Sequence, residues 1–166
     1  MWSYRLTPED TEIVRQSVLK RISVSAEAGL NHATTYDRDM ETRIKEETVG
    51  AGAELAWARL NNREWHNPLN EFHHIPDDGV HEVRATDHPR GGLIIRDNDP
   101  DDRKYIFATA NGRLFIFRGW AYGYEAKTER HKWNPHGLRL AWRLDRSELR
   151  PMNSLHDENK EIVNDN

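Results

Sequence analysis

Apolar residues near the start of the chain recur at the spacing of one helical face. The positions concerned are Ile13, Val14, Val18 and Ile22. Thr7 precedes Pro8, and a hydroxyl cap followed by proline at the first helical position is a favoured helix start. The pattern predicts a helix over about residues 8–23, which we expect to be an accessory packing element.

A second helix is predicted over about residues 41–62, and its middle is rich in small residues. Gly50 and Gly52 lie there, although glycine inside a helix costs about 1 kcal/mol relative to alanine. Close approach of the helix backbone to a sheet would explain that cost. Gly50 and Glu54 are four residues apart and share one face, so Glu54 is expected near whatever that face packs against.

After residue 80 the pattern changes to short apolar runs separated by turns. These runs predict strands at 80–86, 93–96, 104–109, 113–120 and 140–144. Asn111-Gly112 is a good signal for a hairpin turn between two of them. Closely spaced strands imply a mostly antiparallel, mixed sheet flanked by helices. The predicted fold class is therefore α/β (α+β).

Composition divides the chain into three parts. Residues 1–40 hold the accessory helix and an aperiodic connection, and residues 41–150 hold the α/β core. Residues 151–166 carry one positive and four negative side chains, which is typical of a mobile acidic tail. Residues 84–150 are basic, with fourteen positive and nine negative side chains. That balance is compatible with phosphate binding, and equally with a mixed solvated surface.

The residue types that are missing restrict the chemistry. The chain has no cysteine, which excludes disulfides and thiolate metal sites. It has no Gly-x-Ser-x-Gly and no phosphate-binding glycine loop followed by Lys-Ser/Thr. No apolar run approaches the roughly 18 residues of a membrane span, and the first residues lack the apolar part of a signal peptide. We therefore expect a cytoplasmic protein that does not bind membranes.

The segment 76–86 combines carboxylates, a glycine turn and a strand that carries Glu-x-Arg. Side chains alternate between the two faces of a strand, so Glu82 and Arg84 are expected on the same face. A turn at residues 78–79 would bring Asp77 back towards Glu82. Two carboxylates and one cation at a single point make a candidate site for a hard divalent metal and a phosphate.

The order of these residues resembles the PD-(D/E)XK nuclease-like superfamily. The chain has a helix with Gly-x-Gly-x-Glu54, then Pro76-Asp77, then Glu82-Val83-Arg84. Further blocks are similar to small phage and bacterial proteins of that type. These blocks are Glu82-Val-Arg-Ala-Thr86, Gly92-Leu-Ile-Ile-Arg-Asp-Asn-Asp99, Arg118-Gly-Trp120 and Gly123-Tyr-Glu-Ala-Lys127. The resemblance covers roughly residues 41–150.

The resemblance implies a restriction-endonuclease-like core that uses Mg²⁺ or Mn²⁺ to cleave DNA. Asp77, Glu82 and the carbonyl of Val83 would hold the metal. Glu54 would contribute directly or through water. In the superfamily, the lysine of Glu-x-Lys orients or activates the attacking water.

The chain departs from the superfamily pattern at that lysine. Arg84 occupies its place, and an arginine cannot deprotonate water, although it can hold a phosphate or stabilise developing charge. Lys127, in Glu125-x-Lys127, is a candidate to supply the missing lysine, and chance is the alternative explanation of that motif. Asp78 is an alternative metal ligand to Asp77.

Each candidate residue also has a purely structural interpretation. Asp77 and Glu82 would then be a turn acid and an exposed strand residue, and Glu54 a solvent-facing helix acid or a helix-to-sheet hydrogen-bond partner. The acidic loop at 97–102 is expected to be a solvated turn, because it lacks the glycine and distal glutamate of a calcium loop. The large aromatic residues of the strands are expected in the core rather than as platforms for bases.

The expected function is Mg²⁺-dependent phosphodiester hydrolysis on DNA, in the cytoplasm of a bacterial host cell if the protein derives from a phage. Asp77, Glu82, Arg84 and Lys127 are the candidate catalytic residues. The alternative is a non-catalytic phage accessory module that keeps the nuclease-like fold and binds nucleic acid or a protein partner.

Overall fold

The computed structural model describes residues 1–27, 39–67, 80–135, 137 and 139–156. The helices are α1 (Pro8–Glu27), α2 (Met40–Leu60) and the single turn α3 (Gly123–Ala126). The strands are β1 (Ser3–Arg5), β2 (Glu82–Thr86), β3 (Leu93–Arg96), β4 (Lys104–Asn111), β5 (Leu114–Tyr122), β6 (Lys132–Trp133) and β7 (Ala141–Leu144). Within these ranges, no helix is both long and apolar enough to cross a membrane.

The strands belong to two sheets. The first sheet has the order β1-β5-β4-β2 and the second the order β3-β7-β6. β2 runs parallel to β4, whereas the other pairs are antiparallel. The predicted α+β class, with a mostly antiparallel, mixed sheet and flanking helices, is confirmed. The second sheet was not predicted, because a local pattern shows that a segment is a strand but not which strand it pairs with.

The first sheet has a hydrophobic core on each face. Side chains of β4 alternate between the two cores, as the pleat requires. Ile106 and Ala108 pack in the first core with α1 and α2. Tyr105 and Phe107 pack in the second core with β3 and β7. The first sheet therefore lies between the two long helices and the second sheet.

The two glycines of α2 have different surroundings. A Cβ added to Gly52 would lie 2.6 Å from the Cζ atom of Phe115 on β5, so this glycine permits close packing of the helix on the sheet, as predicted. A Cβ added to Gly50 would have nothing within 4 Å. Packing therefore does not explain Gly50.

The segment that follows residue 151 begins in the core. We predicted that residues 151–166 form a mobile tail, but Met152–Leu155 form a 3-10 turn, and Met152 and Leu155 are buried in the first core. The two apolar side chains are three residues apart and so lie on one side of the turn. The prediction was wrong for this part, because two apolar residues in a polar segment give too weak a pattern. Residues 157–166 lie outside the described residues.

Candidate functional site

Glu82 and Arg84 lie together at the edge of the first sheet. Both belong to the edge strand β2, and Arg84 Nη2 lies 3.2 Å from Glu82 Oε1 and 3.0 Å from Asp99 Oδ1. Arg103 Nη1 approaches the other oxygen of Glu82 at 3.3 Å. Val83 is buried in the first core. The predicted alternation along β2 is therefore observed, with the acid and the arginine on one face and the valine on the other.

The loop after β3 holds Asp99 in place. Asp99 Oδ2 accepts a hydrogen bond of 2.8 Å from the Arg96 amide, and Lys127 Nζ donates to the Asp99 carbonyl at 2.6 Å. The same ammonium donates to the Asp97 carbonyl and to Asp101 Oδ1. We expected this acidic loop to be a solvated turn, but Asp99 is only 8% exposed, so that expectation was wrong for Asp99. Its carboxylate faces Arg84, a residue 15 positions earlier in the chain, which no local pattern indicates.

Glu54 lies on α2 and is bound by residues from two other segments. Arg21 Nη2, on α1, donates to Glu54 Oε2 at 2.7 Å, and Trp65 Nε1 donates to the same oxygen at 3.2 Å. Asn67 Oδ1 accepts hydrogen bonds from Arg21 and from Ser17. The helix that we expected to be only a packing element therefore supplies the cation that faces Glu54.

Three acids and three arginines of this region form a group that we call the carboxylate–arginine cluster. Its members are Glu54, Glu82, Asp99, Arg21, Arg84 and Arg103. Burial is the main cause of a raised pKa at Glu82, whose side chain is only 13% exposed. The negative charges of Asp99 and Glu54 raise this pKa further, whereas Arg84 and Arg103 lower it. The acid on the helix therefore contributes to the raised pKa of the acid on the strand.

The raised pKa of Glu82 predicts how stability depends on pH. In the folded state, Glu82 binds its proton at a higher pH than in the unfolded chain. Above the folded pKa, its charged carboxylate therefore lowers the free energy of unfolding, and this penalty disappears as the pH falls towards the ordinary pKa of 4.5. Glu82→Gln removes this penalty. Relative to the wild type, we expect the variant to gain unfolding free energy as the pH rises from 4.5 to 8. Urea unfolding across that range measures the difference.

Glu12 provides a control, because its pKa is shifted in the opposite direction to that of Glu82. Hydrogen bonds from Arg15 and Gln16 lower its pKa to about 2, so Glu12→Gln should not stabilise the protein at pH 8. A difference between Glu82→Gln and the wild type that stays the same from pH 4.5 to pH 8 would contradict the pH prediction.

The structure brings together some of the predicted site residues. Glu82 and Arg84 are in contact, the charge of Glu54 contributes to the raised pKa of Glu82, and Lys127 contacts the loop of Asp99. Asp77 and the alternative ligand Asp78 lie outside the described residues. Among the residues that are described, no group of three histidine, aspartate or glutamate side chains is arranged to hold a metal ion.

Sequence reasoning missed three members of the cluster, and one of them has a signal in the sequence. Arg21 stands seven residues after Val14 and three after Val18, and all three are buried. A charged residue on the apolar face of a helix indicates a buried partner. Asp99 and Arg103 have no comparable signal, because their partners on β2 are distant in sequence.

No family model matches this chain, and neither does any curated protein or solved structure. The resemblance based on Glu82-Val83-Arg84 therefore stays a prediction. Function has to be argued from the geometry of the carboxylate–arginine cluster.

Proposed function

We propose that the protein is a metal-dependent phosphodiester hydrolase that acts on DNA. The observation that carries this proposal is that Glu82, on an edge strand, and Glu54, on a helix, are both mostly buried, and that the negative charge of Glu54 contributes to the raised pKa of Glu82. A buried carboxylate whose pKa is raised, as that of Glu82 is, is typical of functional sites. We further propose that the protein acts in the cytoplasm.

The oxygen atoms of the site suit a hard divalent cation. Mg²⁺ and Mn²⁺ prefer carboxylate and carbonyl oxygens, and Glu54, Glu82 and the Val83 carbonyl would provide such donors. Asp77 would complete the set. A bound metal would polarise the scissile phosphate and lower the pKa of a water molecule.

Arg84 would bind the phosphate rather than move a proton. A guanidinium carries five donors and stays protonated throughout the ordinary pH range. Asp99 and Glu82 contact the Arg84 guanidinium, and 29% of the side chain remains exposed. Asp99 would therefore act as a positioning residue that orients Arg84 towards the phosphate.

Metal titration and plasmid nicking test the proposal together. Mn²⁺ and Mg²⁺ are titrated calorimetrically into the wild type, into Glu82→Gln and into an Asp77→Asn/Glu82→Gln double variant, and nicking is then measured on all three. We expect the single variant to lose roughly a hundredfold in nicking, since a metal contributes several kcal/mol of charge stabilisation. Both metal binding and nicking should vanish in the double variant.

The same experiment includes controls for correct folding. Thermal unfolding of Glu82→Gln is measured alongside, so that a loss of activity is not mistaken for a loss of folded protein. Glu12→Gln, an exposed substitution of the same type on α1, should nick at the wild-type rate. A wild type that binds neither metal would refute the hydrolase.

A second candidate function is a non-catalytic module that binds nucleic acid or protein. It is favoured by one observation: each carboxylate of the carboxylate–arginine cluster has an arginine nitrogen within 3.3 Å. The three acids therefore have countercharges without a metal, and the cluster would then hold α1, α2, β2 and the loop after β3 together. Metal-independent DNA binding without nicking would support this function.

A further inference from the structure

A polar cleft of about 530 Å³ opens on the second sheet. It is formed by the turn before β6, by β6 and β7 themselves, and by the turn after β7. We call it the second-sheet cleft and define it by Arg130, Lys132, Trp133, Arg143, Asp145 and Glu148. No member of the carboxylate–arginine cluster is among the described residues that line it. The cleft is therefore a separate surface feature.

The second-sheet cleft presents an aromatic ring beside three cations. Trp133 is 36% exposed, although it is among the largest apolar side chains in the chain. Its neighbour on β6, Lys132, and the side chains of Arg130 and Arg143 are 47%, 72% and 32% exposed. An exposed tryptophan next to several cations is the combination that binds a base and its phosphates.

The arginines of the cleft are held by its two acids and, for Arg143, also by the Arg90 carbonyl, to which Nη2 donates at 2.8 Å. Arg130 Nη2 lies 2.5 Å from Glu148 Oε1, and Arg143 Nη2 lies 3.0 Å from Asp145 Oδ1. Glu148 is fixed in turn by buried His131, whose Nε2 lies 3.1 Å away. Exposed ion pairs of this kind contribute only about 0–1 kcal/mol each. A phosphate can therefore compete for guanidinium groups that are already positioned.

We propose that the second-sheet cleft binds single-stranded nucleic acid, with a base stacked on Trp133 and backbone phosphates on Arg130, Lys132 and Arg143. The class of ligand follows from the two features together. An acidic peptide would pair with the cations but would offer no base to stack on the indole ring of Trp133. A duplex would not offer one either, because its bases are stacked inside the helix. This site does not depend on the proposed hydrolase activity, because it uses neither the metal nor the carboxylate–arginine cluster.

Fluorescence anisotropy of a labelled oligothymidylate in EDTA tests the site without metal. Stacking on one aromatic side chain contributes about 1–3 kcal/mol per base, so Trp133→Ala should weaken binding roughly tenfold or more, while Trp133→Phe should restore part of the loss. Arg130→Gln/Lys132→Gln should also lower the slope of log K against log salt by about 0.7 for each lost phosphate contact.

The control removes two cations elsewhere. Lys20→Gln/Arg5→Gln changes exposed residues of α1 and β1 and should leave the affinity within about twofold of the wild type. Thermal unfolding of each variant is measured alongside, so that weaker binding by Trp133→Ala is separated from a loss of folded protein.

Three results would overturn the proposal. They are no oligonucleotide binding by the wild type, equal binding by Trp133→Ala, and displacement of the oligonucleotide by polyglutamate as readily as by unlabelled oligothymidylate. The last would identify a general anion surface or a site for acidic peptides. Failure of the nicking experiment leaves this test unaffected, because EDTA removes metal from every sample.

Discussion

Replacing Trp57 with alanine is expected to lower the free energy of unfolding by about 4 kcal/mol, within the range seen when a buried aromatic residue is truncated. Trp57 lies on α2 and is fully buried in the first core. Its ring contacts Phe117 with 5.1 Å between centroids and His81 with 5.8 Å. Truncation would leave a large cavity between the helix and the first sheet. Urea unfolding measures the loss.

Two variants bracket this prediction. Trp57→Phe keeps an apolar ring and should lose clearly less than Trp57→Ala. Trp133→Ala removes the same atoms from a position that is 36% exposed and should lose clearly less than Trp57→Ala. If Trp57→Ala and Trp133→Ala had similar unfolding midpoints, Trp57 would not hold α2 on the sheet as described.

The second large effect concerns the buried pair between α1 and α2. Arg21→Met is expected to lower the free energy of unfolding by about 3 kcal/mol, because breaking a buried ion pair leaves an uncompensated charge. The remaining charge would be Glu54, whose side chain is only 12% exposed. Adding Glu54→Gln removes that charge, so the double variant should recover most of the lost stability.

A double-mutant cycle separates the pair from its surroundings. The unfolding free energies of the wild type, Arg21→Met, Glu54→Gln and the double variant give a coupling energy, which we expect to be roughly 2 kcal/mol. Additive effects would contradict the pairing. Nicking by the double variant is also informative: a stable but inactive double variant would favour a direct role of Glu54 at the metal.

The elements that could be predicted are those that a local pattern determines. The bounds of α2 and β3 agree with prediction to within two residues because periodicity and turn signals are read within a few residues. Gly52 was correctly interpreted as a point of close packing. The pairing of β3 with β7, in contrast, joins segments almost 50 residues apart, and a single sequence gives no information about such pairing.

The same limit applies to the candidate site. Glu82 and Arg84 were correctly predicted to share a face, since alternation along a strand needs no partner. Asp99 was placed in a solvated turn because its loop lacks the glycine and distal glutamate of a calcium loop, yet its carboxylate is buried beside Arg84 and the Arg96 amide. The position of Asp77 relative to Glu82 stays a prediction, because Asp77 lies outside the described residues.

Strand β5 forms hydrogen bonds with segments from both ends of the described chain. β1 pairs with β5 on one side, while Arg150 exchanges backbone hydrogen bonds of 3.0 Å and 2.9 Å with Trp120 of the same strand. Trp2 Nε1 also donates to Asn153 Oδ1 at 2.8 Å, across 151 residues. Contacts so distant in sequence slow folding, because a long loop must close before they form. During synthesis, Trp120 would therefore stay partly uncovered until residues 150–155 had left the ribosome.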